Sequence, residues 1–236
     1  MQLKIRNETD FEKLIKTLAE DLVTANIHFK LYRDLNNAVN EYVRELNQSP
    51  AFWRATFRAH LEATLFRLCR IYDQHTTSLS LKNWLDTIKT NLKIFDVPNF
   101  KARLKNNPFV DSLALHVKKP AEKSLEEDIR LTSKNDCLVE KLVILRMNLY
   151  AHKSAKNVMN EKDLLKTYPL TFNDINNLLK RGVRILNRYS NLFNANMYST
   201  QIVGHDDYLN VLNAVKFDLE QEEAKLEAEL KKYQGK

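Results

Sequence analysis

The stretch Cys137–Ser154, CLVEKLVILRMNLYAHKS, decides how the rest of the chain is read. Leu138, Leu142, Leu145 and Leu149 recur at helical spacing, so one face of a helix is buried. Arg146 is set into that face, and His152 follows six residues later. With Leu142 and Leu149 as the stripe centre, and about 100° per residue, Arg146 lies roughly 40° to one side. His152 lies roughly 80° to the other side and about 9 Å further along. On a regular helix the two flank an apolar stripe without touching. To act on one phosphate they need an unwound helix end, or a second copy of the same helix opposite. The spacing also fits two structural roles: an arginine that snorkels and a histidine set against the helix dipole.

The surrounding chain is as helical as this stretch. Its 236 residues are 44% hydrophobic, enough for one large helical domain or two small ones. With 3 Gly and 5 Pro, the composition excludes a Gly-rich phosphate loop and argues against a turn-rich β fold. The expected fold class is all-α.

Net charge is +7, unevenly spread. Lys141 to Arg188 holds ten Lys/Arg against three acids, whereas Asp206 to Lys236 holds five Lys against eight acids. The basic excess surrounds the motif helix and its successor. It fits an anionic partner such as nucleic acid, and equally a merely soluble basic surface. Cys69 and Cys137 stand alone, which gives neither a zinc site nor a disulfide framework and suggests a reducing, cytoplasmic interior. No metal or cofactor is expected. No stretch approaches the ~20 apolar residues that span a bilayer, and the N-terminal MQLKIRNETD reads as no secretory leader.

Apolar positions from Phe11 to Leu46 hold a helical period. They predict one long helix to about Asn47, or two with a joint near Thr24–Asn26. Ser49-Pro50 restarts a helix to about Asp73, with Trp53, Phe57, Leu61, Leu65, Leu68 and Tyr72 on its core face. His60 sits beside that stripe without a metal partner at useful spacing and reads as structural. Ser78 or Ser80 opens a helix carrying Leu81, Trp84, Leu85, Ile88 and Leu92. Pro98, Pro108 and Pro120 then punctuate an insertion with one short helix near Asn99–Lys105. Ser124 with Glu127 fits a capping box, and Thr171 with Asp174 starts another helix. Along that helix Arg181, Arg184 and Arg188 form a basic stripe, read either as a solvated face or as a nucleic-acid contact. Asp206 starts a last helix to about Tyr233, on which Val211, Leu212, Val215 and Leu219 can pack. Beyond them the charged tail is solvated, or a weak dimer contact.

Arg146, five residues and then His152-Lys153-Ser154, after a Leu-rich helix, resembles the HEPN superfamily motif. The nearest resemblance is to its abortive-infection, AbiU-type branch, with an R-N-x-x-x-A-H pattern at a helix end. Upstream, Ser49–Leu85 resembles that branch in Trp53, Tyr72-Asp73 and Ser80-Leu81. The resemblance runs from about Asn26 to Asn194. It implies an up-down helical bundle, here with a long N-terminal helix and an extra C-terminal helix. The implied division is a helical extension over 1–25, a HEPN-like bundle over 26–196 with an insertion near 96–122, and a C-terminal helix with a charged tail over 197–236.

The resemblance also implies a homodimer whose motifs face each other, and metal-independent RNA cleavage in a toxin or phage-defence setting. The RNA's own 2′-OH attacks the adjacent phosphate, so RNA is cut and DNA spared. His152 then serves as general base or acid, and Arg146 holds the phosphate and offsets transition-state charge. Lys153 and Lys156 guide the backbone, with Arg181 and Arg184 further off, and an antitoxin protein is a possible partner. One position departs: the family often places Asn, Asp or His after the arginine, and here it is Met147. Asn148, on the face of His152, is the candidate substitute. Loss of that polar residue also fits a catalytically silent HEPN module that binds RNA, a nucleotide or a partner protein.

Overall fold

The computed structural model describes residues 3–150, 159, 164–201, 204 and 206–234. The described residues contain helices and no strand, so the chain is all-α. The helices are α1 (Glu8–Ala38), α2 (Val43–Leu46), α3 (Pro50–Ile71), α4 (Leu81–Thr90), α5 (Val97–Arg103), α6 (Val110–Ala114), α7 (Glu122–Leu131), α8 (Cys137–Leu145), α9 (Leu164–Thr167), α10 (Phe172–Asn194) and α11 (Tyr208–Gln234). A 3₁₀ turn precedes α5 at Leu92–Phe95, and a π turn follows α8 at Arg146–Tyr150. No described helix is long and apolar enough to cross a membrane.

The contacts divide the chain into two compact units. One comprises Met1–Ala25 and Leu65–Thr200, the other Asn26–Thr64 and Gln201–Lys236.

The first unit has an aromatic centre. Phe11 stacks on Trp84 at 5.9 Å and meets Phe193 edge-on at 4.9 Å, while Trp84 meets Tyr189 at 5.9 Å. These rings come from α1, α4 and α10, three helices whose apolar positions follow the 3.6-residue period. Ile175, Leu178, Leu179, Leu186, Tyr189 and Phe193 of α10 are all buried, as their spacing predicts. A Cβ on Gly182 would lie 2.6 Å from Leu22 Cδ2, so α10 passes close to α1 there and a larger residue would push the end of the Leu22 side chain aside. Thr171 and Asp174 close the predicted capping box on α10, and Ser80 caps α4. At the other end of α10, Arg103 donates twice to the Phe193 carbonyl, at 3.0 and 2.7 Å, and satisfies an otherwise orphan acceptor.

The second unit has a small core of Ala38, Tyr42 and Leu212, with Leu46, Trp53, Tyr208 and Leu209 packed around it. Tyr42 donates to Asn213 Oδ1 at 3.1 Å, and Arg44 pairs with Glu223.

Local expectations differ from the structure at several places. The insertion holds two short helices, α5 and α6, where one is expected, and Leu92 lies in the 3₁₀ turn past the end of α4. The first helix runs unbroken through Thr24–Asn26 and ends at Ala38 instead. Asn36, Asn37 and Asn40 surround that end, and short amide side chains compete for helix backbone groups. Ser124 lies inside α7, which starts at Glu122 behind Ala121 and has no side-chain cap. Glu127 is spent on Arg130 at 2.7 Å rather than on a capping box. Val211 is exposed, and Leu212 is the fully buried residue of α11.

Candidate functional site

The site is built on the chain turn after α3. Tyr72 is fully buried, and its hydroxyl donates to the Leu178 carbonyl at 2.7 Å, tying this turn to α10. Asp73 follows, and its carboxylate accepts from the His75 amide at 3.0 Å and the Ser78 hydroxyl at 2.7 Å. Such an aspartate fixes a turn through its own side chain. Gln74 donates to the Tyr72 carbonyl at 2.8 Å and to the Thr132 carbonyl at 3.0 Å, holding the turn against the end of α7.

Onto this prepared carboxylate Arg146 donates from Nη1, forming an ion pair. The Asp73 side chain is 8% exposed and that of Arg146 32%. Burial pushes the Asp73 carboxyl up. The Ser78 hydroxyl, the His75 amide and the Arg146 guanidinium reverse this and hold it below its ordinary value. Arg146 commits one nitrogen to Asp73, and a guanidinium has five N–H donors, so the rest can grip an anion. Cys69, one turn before Asp73, is chemically quiet: burial pushes its thiol up to about 12 against the opposing charge of Arg146.

Arg146 owes its position to α8. Asp136 caps this helix, accepting from the amides of Leu138 at 3.1 Å and Val139 at 3.2 Å. Val139, Leu142, Val143 and Leu145 form the buried face, and Leu138 is half-buried. The stripe therefore includes two valines that leucine spacing alone passes over. At Arg146 the helix becomes a π turn that continues to Tyr150. Such turns are rare and occur often at functional sites. Asn148 donates from Nδ2 to the Ile144 carbonyl at 2.8 Å, which supports the turn from inside. Met147 is 59% exposed. His152, Lys153 and Lys156 lie outside the described residues.

The arginines of α10 do not form one uniform stripe. Arg181 pairs with Asp136 at 2.8 Å and donates to the Leu131 carbonyl at 2.9 Å. Arg188 pairs with the buried Asp128, which also accepts from the Tyr189 hydroxyl at 2.9 Å. Arg184 is exposed. It shares a cleft of about 420 Å³ with Leu131, Leu138, Asn177, Lys180 and Arg181. The sequence reading missed Asp73, Asp128 and Asp136 as partners of these arginines. Residues so far apart in the chain leave no spacing signal; Tyr72-Asp73 was visible only within the family resemblance.

Among the described residues no three His, Cys, Asp or Glu side chains are grouped to hold a metal ion. His60 meets His28 in the second unit, with Nδ1 to Nδ1 at 2.9 Å.

No curated protein and no solved structure matches the chain. A family model does: the HEPN family AbiU2 matches residues 8–220, a wider span than Asn26–Asn194. That span contains Tyr72-Asp73, α8 and the Arg146 turn together, and the chain belongs to the AbiU2 family of HEPN proteins.

Proposed function

We propose that this protein is a metal-independent endoribonuclease of the HEPN type, acting as a homodimer in a toxin or phage-defence role in the cytoplasm. The observation that carries this reading is Arg146. It sits at the start of a π turn, is oriented from behind by Asp73, and is one-third exposed. An arginine fixed by a buried carboxylate is pre-organised for a phosphate, and loses little conformational freedom on binding it. His152 supplies the proton transfer. As base it takes the proton of the RNA 2′-OH, whose oxygen attacks the adjacent phosphorus. The bond to the 5′-oxygen breaks, that oxygen receives a proton, and a 2′,3′-cyclic phosphate remains. Lys153 and Lys156 steer the backbone, and an antitoxin protein is the expected partner.

Purified protein with single-stranded and structured RNA in EDTA tests this. Arg146→Ala and His152→Ala each abolish cleavage. If each site takes its arginine from one chain and its histidine from the other, mixing the two variants restores activity. An even mixture of exchanging dimers gives about one quarter of wild-type activity. Cleavage retained by either variant alone would remove that residue from the chemistry.

A second reading has its own support. Met147 stands where the family often has a polar residue, and the Asn148 side chain donates to Ile144. Both favour a catalytically silent module that binds RNA, a nucleotide or a protein. Wild-type protein that dimerises and binds RNA without cutting would select it, and Met147→Asn is then the variant expected to gain activity.

A further inference from the structure

The cleft between α7, α8 and α10 has chemistry that the motif does not use. Its cations differ in kind. Arg181 is held on two sides, by Asp136 and the Leu131 carbonyl, and its side chain is only 15% exposed. Lys180 and Arg184 are exposed and make no hydrogen bond or ion pair among the described residues. They lie at i and i+4, one above the other on α10, where like charges repel. An anion between them removes that repulsion. The acids close by are ion-paired with other arginines, Asp136 with Arg181 and Glu127 with Arg130 at 2.7 Å, although Glu127 also lies within electrostatic reach of Arg184. Asn177, one turn before Lys180 and Arg181, adds an exposed amide, and Leu131 and Leu138 add apolar surface. Two exposed cations without a hydrogen bond or ion pair among the described residues, an amide and an apolar wall in about 420 Å³ suit a phosphate with a base or sugar attached.

We propose that this cleft binds the phosphates of a nucleotide unit, with Lys180 and Arg184 as the charged contacts and Asn177 as a hydrogen-bond donor. Arg181 is the fixed post that shapes the cleft rather than a ligand contact. The nucleotide comes from an RNA strand or from a free nucleoside triphosphate. The RNA source rests on the endoribonuclease reading; the site itself does not. The two places are joined by one helix: Leu138 faces the cleft and Arg146 follows α8 at its other end, about 12 Å along the axis.

The test uses the full-length protein and the double variant Lys180→Ala/Arg184→Ala, with short single-stranded RNA and ATP as separate probes. Both substitutions are on the surface, so thermal melting stays at the wild-type value. For an RNA source, binding weakens in the variant, and the slope of log affinity against log salt falls by about 1.4, from about 0.7 per phosphate contact. For a free-nucleotide source, ATP binds the wild type and is lost in the variant, while RNA binding is unchanged. Equal binding of both probes to the two proteins, or no binding of either to the wild type, overturns the proposal. Cleavage is scored separately. A variant that cuts RNA with an unchanged salt slope and unchanged ATP binding refutes the cleft and leaves the enzyme standing. Cleft binding without cleavage by the wild type does the reverse.

Discussion

Replacing Asp73 by Asn removes one negative charge and almost no volume. The His75 amide and Ser78 hydroxyl keep a neighbour of the same shape, but Arg146 loses its counter-ion. A hydrogen bond to a charged group contributes about 1.5–3 kcal/mol, and breaking a fully buried pair costs about 3–5 kcal/mol. Arg146 is one-third exposed, so water recovers part of the loss. The expected destabilisation is about 2–3 kcal/mol at pH 7. At roughly 2–4 °C per kcal/mol for a chain of this size, the melting temperature falls by about 4–12 °C. Urea unfolding at several pH values provides the assay. The folded Asp73 carboxyl lies below its ordinary value, so its contribution is fully present above the unfolded pKa of about 3.9 and is lost as pH falls through the folded value. The gap between wild type and Asp73→Asn is therefore constant from about pH 7 to pH 5 and closes in stronger acid. A double-mutant cycle with Arg146→Met isolates the pair, with a coupling of about 1–2 kcal/mol. A gap below about 0.5 kcal/mol at pH 7, or strict additivity in the cycle, refutes the idea that Asp73 holds Arg146.

Ala195 ends α10 in the left-handed region, with φ 56° and ψ 23°, a conformation that strains any side chain with a Cβ. Ala195→Gly is expected to stabilise by about 1 kcal/mol, read as a rise of roughly 2–4 °C in melting temperature. Tyr72→Phe deletes the buried hydroxyl that donates to Leu178, so urea unfolding should show a loss of about 1 kcal/mol. An unchanged midpoint would mean that the hydroxyl contributes nothing to joining α3 and α10.

Periodicity carried most of the fold. α10 was legible in detail because its start has a complete capping box and its buried face obeys one period over 23 residues. The end of α1 was not, because no Gly or Pro marks it and a cluster of asparagines breaks helices weakly. Ser124 misled for a related reason. An S-x-x-E pattern forms a cap only where the helix starts, and here the start is fixed two residues earlier, just past Pro120. The leucine stripe of α8 was incomplete in content, since Val139 packs as deeply as Leu142 and Val143 is buried beside them.

Charge was the hardest part to read. A run of arginines on a helix looks the same whether each meets water, RNA or an aspartate from elsewhere in the chain. Arg181 and Arg188 meet aspartates, and Lys180, which no motif singled out, is the exposed neighbour. The geometry of the motif behaves differently, because its difficulty can be worked out. On a regular helix Arg146 and position 152 are separated by roughly 120° and about 9 Å. A π turn adds one residue per turn, so a helix continued past it would move position 152 by about 100°, to a separation of roughly 140°. On such a continuation the turn at Arg146 would not by itself bring an arginine and a histidine of one chain to one phosphate. The proposed site composed from two copies would meet the requirement without asking α8 to do it, since an arginine fixed by Asp73 would need only to be presented to a second chain. This is why restoration of cleavage by mixing Arg146→Ala with His152→Ala weighs more than the loss in either variant. Loss alone fits any essential residue, whereas recovery requires that the two side chains act from different chains.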